Sequence, residues 1–261
     1  DASKAYYYGG LSLKELIKSR TLRDWIKFNG LIEQKVEWEH RAKWERNIFA
    51  SNAAFIGRTL WDRAHTYRMN PTARYYHCDE LLRPPFYQTT WEIGKIKRHT
   101  IYASSALYPL KGFHVLLKAV MLLRSEFPDI TVRTPMGGFF HSARGAENIW
   151  KRLRSGGYAN YLTNLIKQEG LEKNIYSLGL LDAARVANEL GKSHVFVLPS
   201  FIENSPNSLS EAMSIGTPSI ASLVGGVPSM VNDGESALCF PSGDASVLAV
   251  QIRQIFLDDE L

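Results

Sequence analysis

Three observations predict an α/β protein: a complete doubly wound parallel sheet preceded by part of a second α/β domain. From Gly94 onward, short apolar runs alternate strictly with helix-period segments, as parallel strands joined by crossover helices do. The stretch Val197 to Met213 passes from an apolar run through a loop into a helix start, which suits the carboxyl edge of such a sheet. Residues 1–95 are mostly helix-compatible and hold too few strands for a sheet of their own. The expected division is therefore 1–95 and 96–261.

Residues 11–50 read as helical, with Gly30 as the main breaker. The segment Glu33 to Arg46 is dense in charge and pairs Glu37 with Arg41 and Glu39 with Lys43 at helix spacing, so it reads as a solvated face. Ile48 to Ile56 reads as a buried strand, and Gly57-Arg58-Thr59 turns into a helix through Trp61 to Tyr67. Asn70-Pro71-Thr72 is a turn before a short strand at Tyr75 to His77, and Pro84-Pro85 should forbid helix beyond. Strands are then expected at 99–104, 129–135, 175–179, 194–199, 217–222 and 237–240. Helices are expected at 111–126, 145–170, 183–191, 206–215, 226–232 and 244–258.

Composition is that of a globular protein, 45% hydrophobic and 22% charged, with no apolar run near the roughly 20 residues of a membrane helix. Residues 1–95 hold 16 Lys/Arg against 11 Asp/Glu, and residues 96–261 hold 15 of each, so the net charge of +5 lies in the first part. That excess either meets anionic lipid or an acidic acceptor, or is scattered solvated charge. Cys78 and Cys239 are far apart and lack metal-ligand spacing, so free thiols in a reducing compartment are expected. The histidines show no metal spacing either.

The chemistry concentrates after the run His194 to Leu198. Ser205 is expected as N-cap and Pro206 as first helical residue. The amides of Asn207 and Ser208 would then leave the helix start free to attract a phosphate. Glu203 and Glu211 flank that point; carboxylates repel phosphate and suit hydroxyls. A phosphate between two polyols describes a nucleotide sugar. Lys111, in Tyr108-Pro109-Leu110-Lys111-Gly112, stands at another strand-to-helix junction, either as a phosphate contact or as an ordinary first-turn lysine. His114 beside it reads as packed rather than catalytic. Gly137-Gly138 and Gly225-Gly226 permit close approach of backbone to a ligand. Gly179-Leu180-Leu181 is either an apolar seat for a base or a plain turn. G-x-G-x-x-G, G-x-S-x-G, H-E-x-x-H and the Walker lysine are absent, which disfavours a nicotinamide oxidoreductase.

Pro199-Ser200-x-x-Glu203, Pro206, Glu211-Ala212-Met213, Gly216-x-Pro218, Ala221 and Gly225-Gly226-Val227-Pro228, with Lys111-Gly112 upstream, resemble the donor-binding half of retaining glycosyltransferases of family 4, which have the GT-B fold. The resemblance covers residues 96–258 well. It extends loosely to Gly57-Arg58-Thr59-x-Trp61-Asp62 and Leu81-Leu82-Arg83-x-x-Phe86-Tyr87. It implies that Glu211 holds the ribose hydroxyls and Glu203 contacts the donor sugar near its anomeric centre. Amides around Ser205 to Ser208 would hold the distal phosphate, and Lys111 would neutralise the departing pyrophosphate.

By this resemblance the expected activity is retaining, metal-independent transfer from a nucleotide sugar to a saccharide or lipid-linked acceptor, with no cofactor. The setting would be cytoplasmic polysaccharide assembly, with peripheral membrane contact through the basic first part and no nucleic-acid partner. Two features depart from the family pattern. Ala106 stands where many members carry Arg, and residues 1–95 lack the glycine-rich loop and the His of the family's acceptor domain. That domain therefore reads as N-terminally truncated, and a nucleotide-binding module without turnover is the alternative.

Overall fold

The computed structural model describes residues 7–105, 108–135 and 157–258. Its centre is a six-stranded, wholly parallel sheet of β3 (Lys97–Tyr102), β4 (Thr131–Thr134), β5 (Ile175–Ser177), β6 (Ser193–Leu198), β7 (Ser219–Ser222) and β8 (Leu238–Phe240). The order is β5-β4-β3-β6-β7-β8. The chain winds outward from β3 in one direction and from β6 in the other, so the topological switch point lies between β3 and β6. All six residues of β6 are buried, which is why this strand reads as a continuous apolar run.

Alternate strand residues supply two cores. Ile101, Val195, Val197, Ile220 and Phe240 face one side, where helices Phe113–Leu123, Gly157–Gln168 and Ala245–Leu257 cover them. Tyr102, Phe196, Leu198, Ala221 and Cys239 face the other, covered by Ala183–Lys192 and Asn207–Ile215. The expected helix over 145–170 is present in its described part, 157–168; residues 145–156 lie outside the described residues. The expected helix at 226–232 is a single 3-10 turn, Val227–Ser229, because the chain needs only to turn under Glu203 and Asn204 there.

The first part differs more from expectation. Residues 11–50 form three helices, α1 (Leu13–Ser19), α2 (Leu22–Lys27) and α3 (Leu31–Ser51). Capping boxes at Ser12/Glu15 and Thr21/Asp24 start the first two, and the third begins after Gly30 without a side-chain cap. The predicted strand over Ile48 to Ile56 is helix as far as Ser51 and strand only from Ala54. Nothing in the charged run stops α3 before Asn52, so the strand β1 shrinks to Ala54–Gly57. It pairs in parallel with β2 (Arg74–His77), and α4 (Leu60–Met69) connects them. Pro84 and Pro85 do not forbid helix. They begin a one-turn helix, α5 (Pro85–Gln88), whose first turn needs no donor from proline. In sequence the remaining helices are α6 (Phe113–Leu123), α7 (Gly157–Gln168), α8 (Ala183–Lys192), α9 (Asn207–Ile215) and α10 (Ala245–Leu257).

Tyr7, Leu11, Leu16 and Leu31 join the core around α6 and α7, while Phe86 of α5 joins the other core. The Trp91 indole donates to the Ser193 carbonyl at 2.8 Å, and its backbone N–H donates to Ile215 O at 2.8 Å. Cys78 and Cys239 are free thiols, the first exposed and the second buried.

Candidate functional site

β3 and β6 pair through Tyr102 and Phe196, and the chain beyond the carboxyl end of each delivers one charged side chain to the same sheet edge. After β3, Pro109 to Lys111 make a 3-10 turn that ends at Gly112 in the left-handed conformation, φ +63°. A Cβ at Gly112 would sit 1.8 Å from the Pro199 carbonyl oxygen. Glycine is therefore what lets the turn lie against the end of β6. After β6, Pro199 to Asn204 form the loop that carries Glu203. Lys111 Nζ donates to Glu203 Oε1 at 2.6 Å, and Ser200 Oγ donates to the same oxygen at 2.6 Å. Two residues separated by 92 positions thus meet at the switch point, where open α/β sheets hold ligands. The Glu203 side chain is 11% exposed.

Glu211 faces the same edge from α9 and is buried. Its Oε1 accepts from Arg83 Nη2 at 2.8 Å, and the Arg83 guanidinium lies over the Phe86 ring. The start of α9 is displaced by one residue from expectation. Pro206 is the extended cap, its carbonyl accepts from Leu209 N–H at 3.0 Å, and the helix begins at Asn207. Ser205 does not cap it. The Ser205 carbonyl instead accepts from Arg58 Nη2 at 2.9 Å. The amides of Asn207 and Ser208 occupy the first two helical positions, which have no intrahelical acceptor.

Arg58 is the residue that sequence reasoning missed. It follows β1 as Lys111 follows β3, and that placement at a strand end was the available signal. Its Nη1 donates to Asn207 Oδ1 at 2.9 Å and also pairs with Glu80 Oε2 at 2.9 Å, while Asn207 Nδ2 donates to Glu80 Oε1 at 3.0 Å. Thr59 Oγ1 donates to Asn204 Oδ1 at 3.0 Å, and the Leu60 amide donates to Ser229 Oγ at 3.0 Å. The β1–α4 unit therefore grips the loop between β6 and α9. A cleft of about 1200 Å³ opens beside this grip, lined among others by Phe55, Arg58, Trp61, Glu80, Ile202 and Asn204.

The other candidates are placed as follows. Gly225 and Gly226 lie against the Glu203-Asn204 backbone: a Cβ on either would stand 1.9 and 1.8 Å from the Glu203 and Asn204 carbonyl oxygens. Their close approach in this structure is to that loop, with Gly226 N–H donating to Glu203 O at 3.0 Å. Leu180 follows β5 and is 92% exposed. Gly137 and Ala106 lie outside the described residues. His114 is packed: one ring nitrogen is 2.9 Å from Tyr158 OH, the other 2.8 Å from the Gly9 carbonyl, and the ring stacks on Phe201. Burial pushes its pKa down to about 4. Among the described residues, no group of three or more His, Cys, Asp and Glu side chains could hold a metal ion.

Comparison with known proteins gives the chain its relatives. D-inositol 3-phosphate glycosyltransferases of Arthrobacter sp. and Streptomyces avermitilis are 28% and 31% identical over 162 residues, covering 62% and 59% of this chain and 35% and 31% of theirs. WcaL of Salmonella typhimurium, whose name assigns it to colanic acid biosynthesis as a glycosyltransferase, is 29% identical over 55% of this chain and 32% of its own. The chain thus spans about a third of the length of these relatives. Among solved structures, sucrose-phosphate synthase from Thermosynechococcus elongatus superposes with a TM-score of 0.69 at 21% identity, over 84% of this chain and 53% of that one. Anabaena Alr3699/HepE in complex with UDP gives 0.63 at 19% identity, over 80% and 55%. The fold is of the GT-B glycosyltransferase type. Residues 91–261, which carry the whole six-stranded sheet together with Lys111, Glu203 and Glu211, match the family described as Glycosyl transferases group 1, and the chain belongs to that family.

Proposed function

We propose that the chain carries the donor side of a retaining, metal-independent glycosyltransferase that moves a sugar from a nucleotide sugar to a saccharide or lipid-linked acceptor. The observation that carries this reading is the meeting of Lys111 with Glu203 at the switch point, with Glu211 and the start of α9 beside them. A diphosphate placed between these groups faces the Lys111 ammonium and the Asn207 and Ser208 amides. The ribose hydroxyls then donate to Glu211 and the sugar hydroxyls to Glu203. Among the described residues, Lys111 and Ser200 both bond Glu203 Oε1, so Oε2 is the oxygen offered to the sugar.

As the bond from anomeric carbon to phosphate oxygen breaks, charge grows on the diphosphate, and Lys111 and the amides stabilise it. The acceptor hydroxyl attacks from the face the diphosphate leaves, and the leaving phosphate takes its proton. The cleft lined by Arg58, Trp61, Ile202 and Asn204 reaches the loop that carries Glu203, and we assign it to the acceptor side. The solved complexes of Alr3699/HepE with UDP and of pneumococcal O-GlcNAc transferase GtfA with UDP and GlcNAc support a uridine nucleotide as the first donor to try. A cytoplasmic location accompanies the reading.

Isothermal titration with UDP, GDP, ADP and NAD tests it. One of the three nucleoside diphosphates should bind; tight NAD binding without response to the others would overturn it. Turnover of the matching nucleotide sugar separates a transferase from a binding module.

A further inference from the structure

The outward faces of α1 and α2 are apolar where a solvent-facing helix is ordinarily polar. Leu13 and Ile17, four apart on α1, are 69% and 61% exposed. Leu22, Trp25 and Ile26 of α2 are 67%, 60% and 70% exposed, and Phe28, which ends the helix in the left-handed conformation, is 75% exposed. The opposite faces are anchored. Leu11 and Leu16 enter the core, Ser19 and Asp24 are buried, and Glu15 accepts from the Tyr161 hydroxyl of α7 at 2.7 Å. The elbow is thus held on the protein while its apolar residues point away from it.

Charge identifies what fits. Lys14, Lys18, Arg20, Arg23 and Lys27 stand between Leu13 and Phe28, against only Glu15 and Asp24. Both acids are engaged in capping their own helices. Arg20 pairs with Glu33 and lies 4.4 Å from the Trp25 ring centroid, whereas Lys14, Lys18 and Lys27 are exposed. Exposed Leu, Ile, Trp and Phe interleaved with lysines match the boundary between acyl chains and anionic headgroups. There lysine stems lie along apolar surface and indoles sit at the interface.

We propose that the α1–α2 elbow is a membrane-docking surface that inserts Leu13, Ile17, Trp25, Ile26 and Phe28 into the headgroup region of an anionic bilayer. It does not depend on the transfer reading, because binding is measured without a donor.

The test is co-sedimentation of the protein with phosphatidylcholine vesicles, with and without phosphatidylglycerol. Partition should be at least about 10-fold stronger to the anionic vesicles and weaken as salt rises. The triple variant Ile17→Ser/Trp25→Ser/Phe28→Asn should lose at least about 10-fold of that partition, with Asn kept for its tolerance of the left-handed region. The exposed-charge variant Lys14→Gln/Lys18→Gln/Lys27→Gln should lose the preference for anionic vesicles while its melting temperature stays that of the parent. Equal binding to both vesicle types, or no change in either variant, would overturn the proposal. So would sedimentation velocity showing self-association that the triple variant abolishes without any vesicle binding.

Discussion

Glu211→Gln should raise the dissociation constant of the cognate nucleotide by about 5- to 150-fold while leaving the protein folded. In the proposed complex Glu211 accepts two ribose hydroxyls. A hydrogen bond to a charged acceptor contributes about 1.5–3 kcal/mol and one to a neutral acceptor about 0.5–1.5, so the exchange loses roughly 1–3 kcal/mol in all. The side chain is only 11% exposed, so little water is available to replace the lost interaction. The free protein loses less. Arg83, the present partner at 2.8 Å, is 58% exposed, and such a screened pair contributes under about 1 kcal/mol. For a chain of this size that is a drop of roughly 2–4 °C in melting temperature. Isothermal titration of parent and variant with UDP, GDP and ADP, alongside calorimetric melting, reads both numbers. A dissociation constant within twofold of the parent would refute the assignment. A weaker affinity accompanied by a melting drop beyond about 8 °C would mean that Glu211 is structural and the binding argument fails.

Lys111→Met should lower turnover by about 10²–10³-fold with a smaller change in nucleotide affinity, and EDTA should leave the parent rate unchanged; an EDTA-inactivated enzyme restored by Mg²⁺ would contradict the metal-independent reading. Gly112→Ala should cost more than about 2 kcal/mol in a denaturant midpoint, because the new methyl meets the Pro199 carbonyl at a positive φ; an unchanged midpoint would show that the junction relaxes. His114 should make stability fall as pH drops from about 6.5 to about 4: the unfolded chain binds a proton in that window and the folded chain does not. The full effect is about 3 kcal/mol, and the comparison of pH 7 with pH 5 in urea melts should flatten in His114→Gln. Equal slopes in the two proteins would remove His114 as the cause.

The centre of the sheet was legible because β6 and β7 are buried on both faces, so β6 reads as one apolar run between turn residues. The Lys111, Glu203 and Glu211 constellation was legible because each sits at a fixed offset from a strand or helix start. What stayed hidden is set by distant partners. The strand-end placement of Arg58 is a local signal, but its bond to the Ser205 carbonyl spans 147 positions, and nothing local names that partner. The docking of Tyr7 and Leu11 into the core beside α6 depends on a buried His114 that bonds Gly9, which again is a tertiary fact. The strand expected over Ile48 to Ile56 failed because helix propagation from a long charged segment overrode a short apolar run. The one-residue shift at Pro206 coincides with a Ser205 carbonyl that accepts from Arg58, again a distant partner.

The contact of Gly225 and Gly226 with the Glu203-Asn204 backbone has a bearing on redesign. The β6–α9 loop and the β7–β8 connection touch main chain to main chain, and the Thr59 side chain packs against the same junction, so there is little slack to absorb a change in either. A library that varies residues 203–208 against a fixed 225–226 would therefore be dominated by loops the neighbouring segment rejects. Transplanting both segments from one relative keeps the fit between them, so exchange of donor preference among group 1 enzymes is best attempted with the pair as a single cassette.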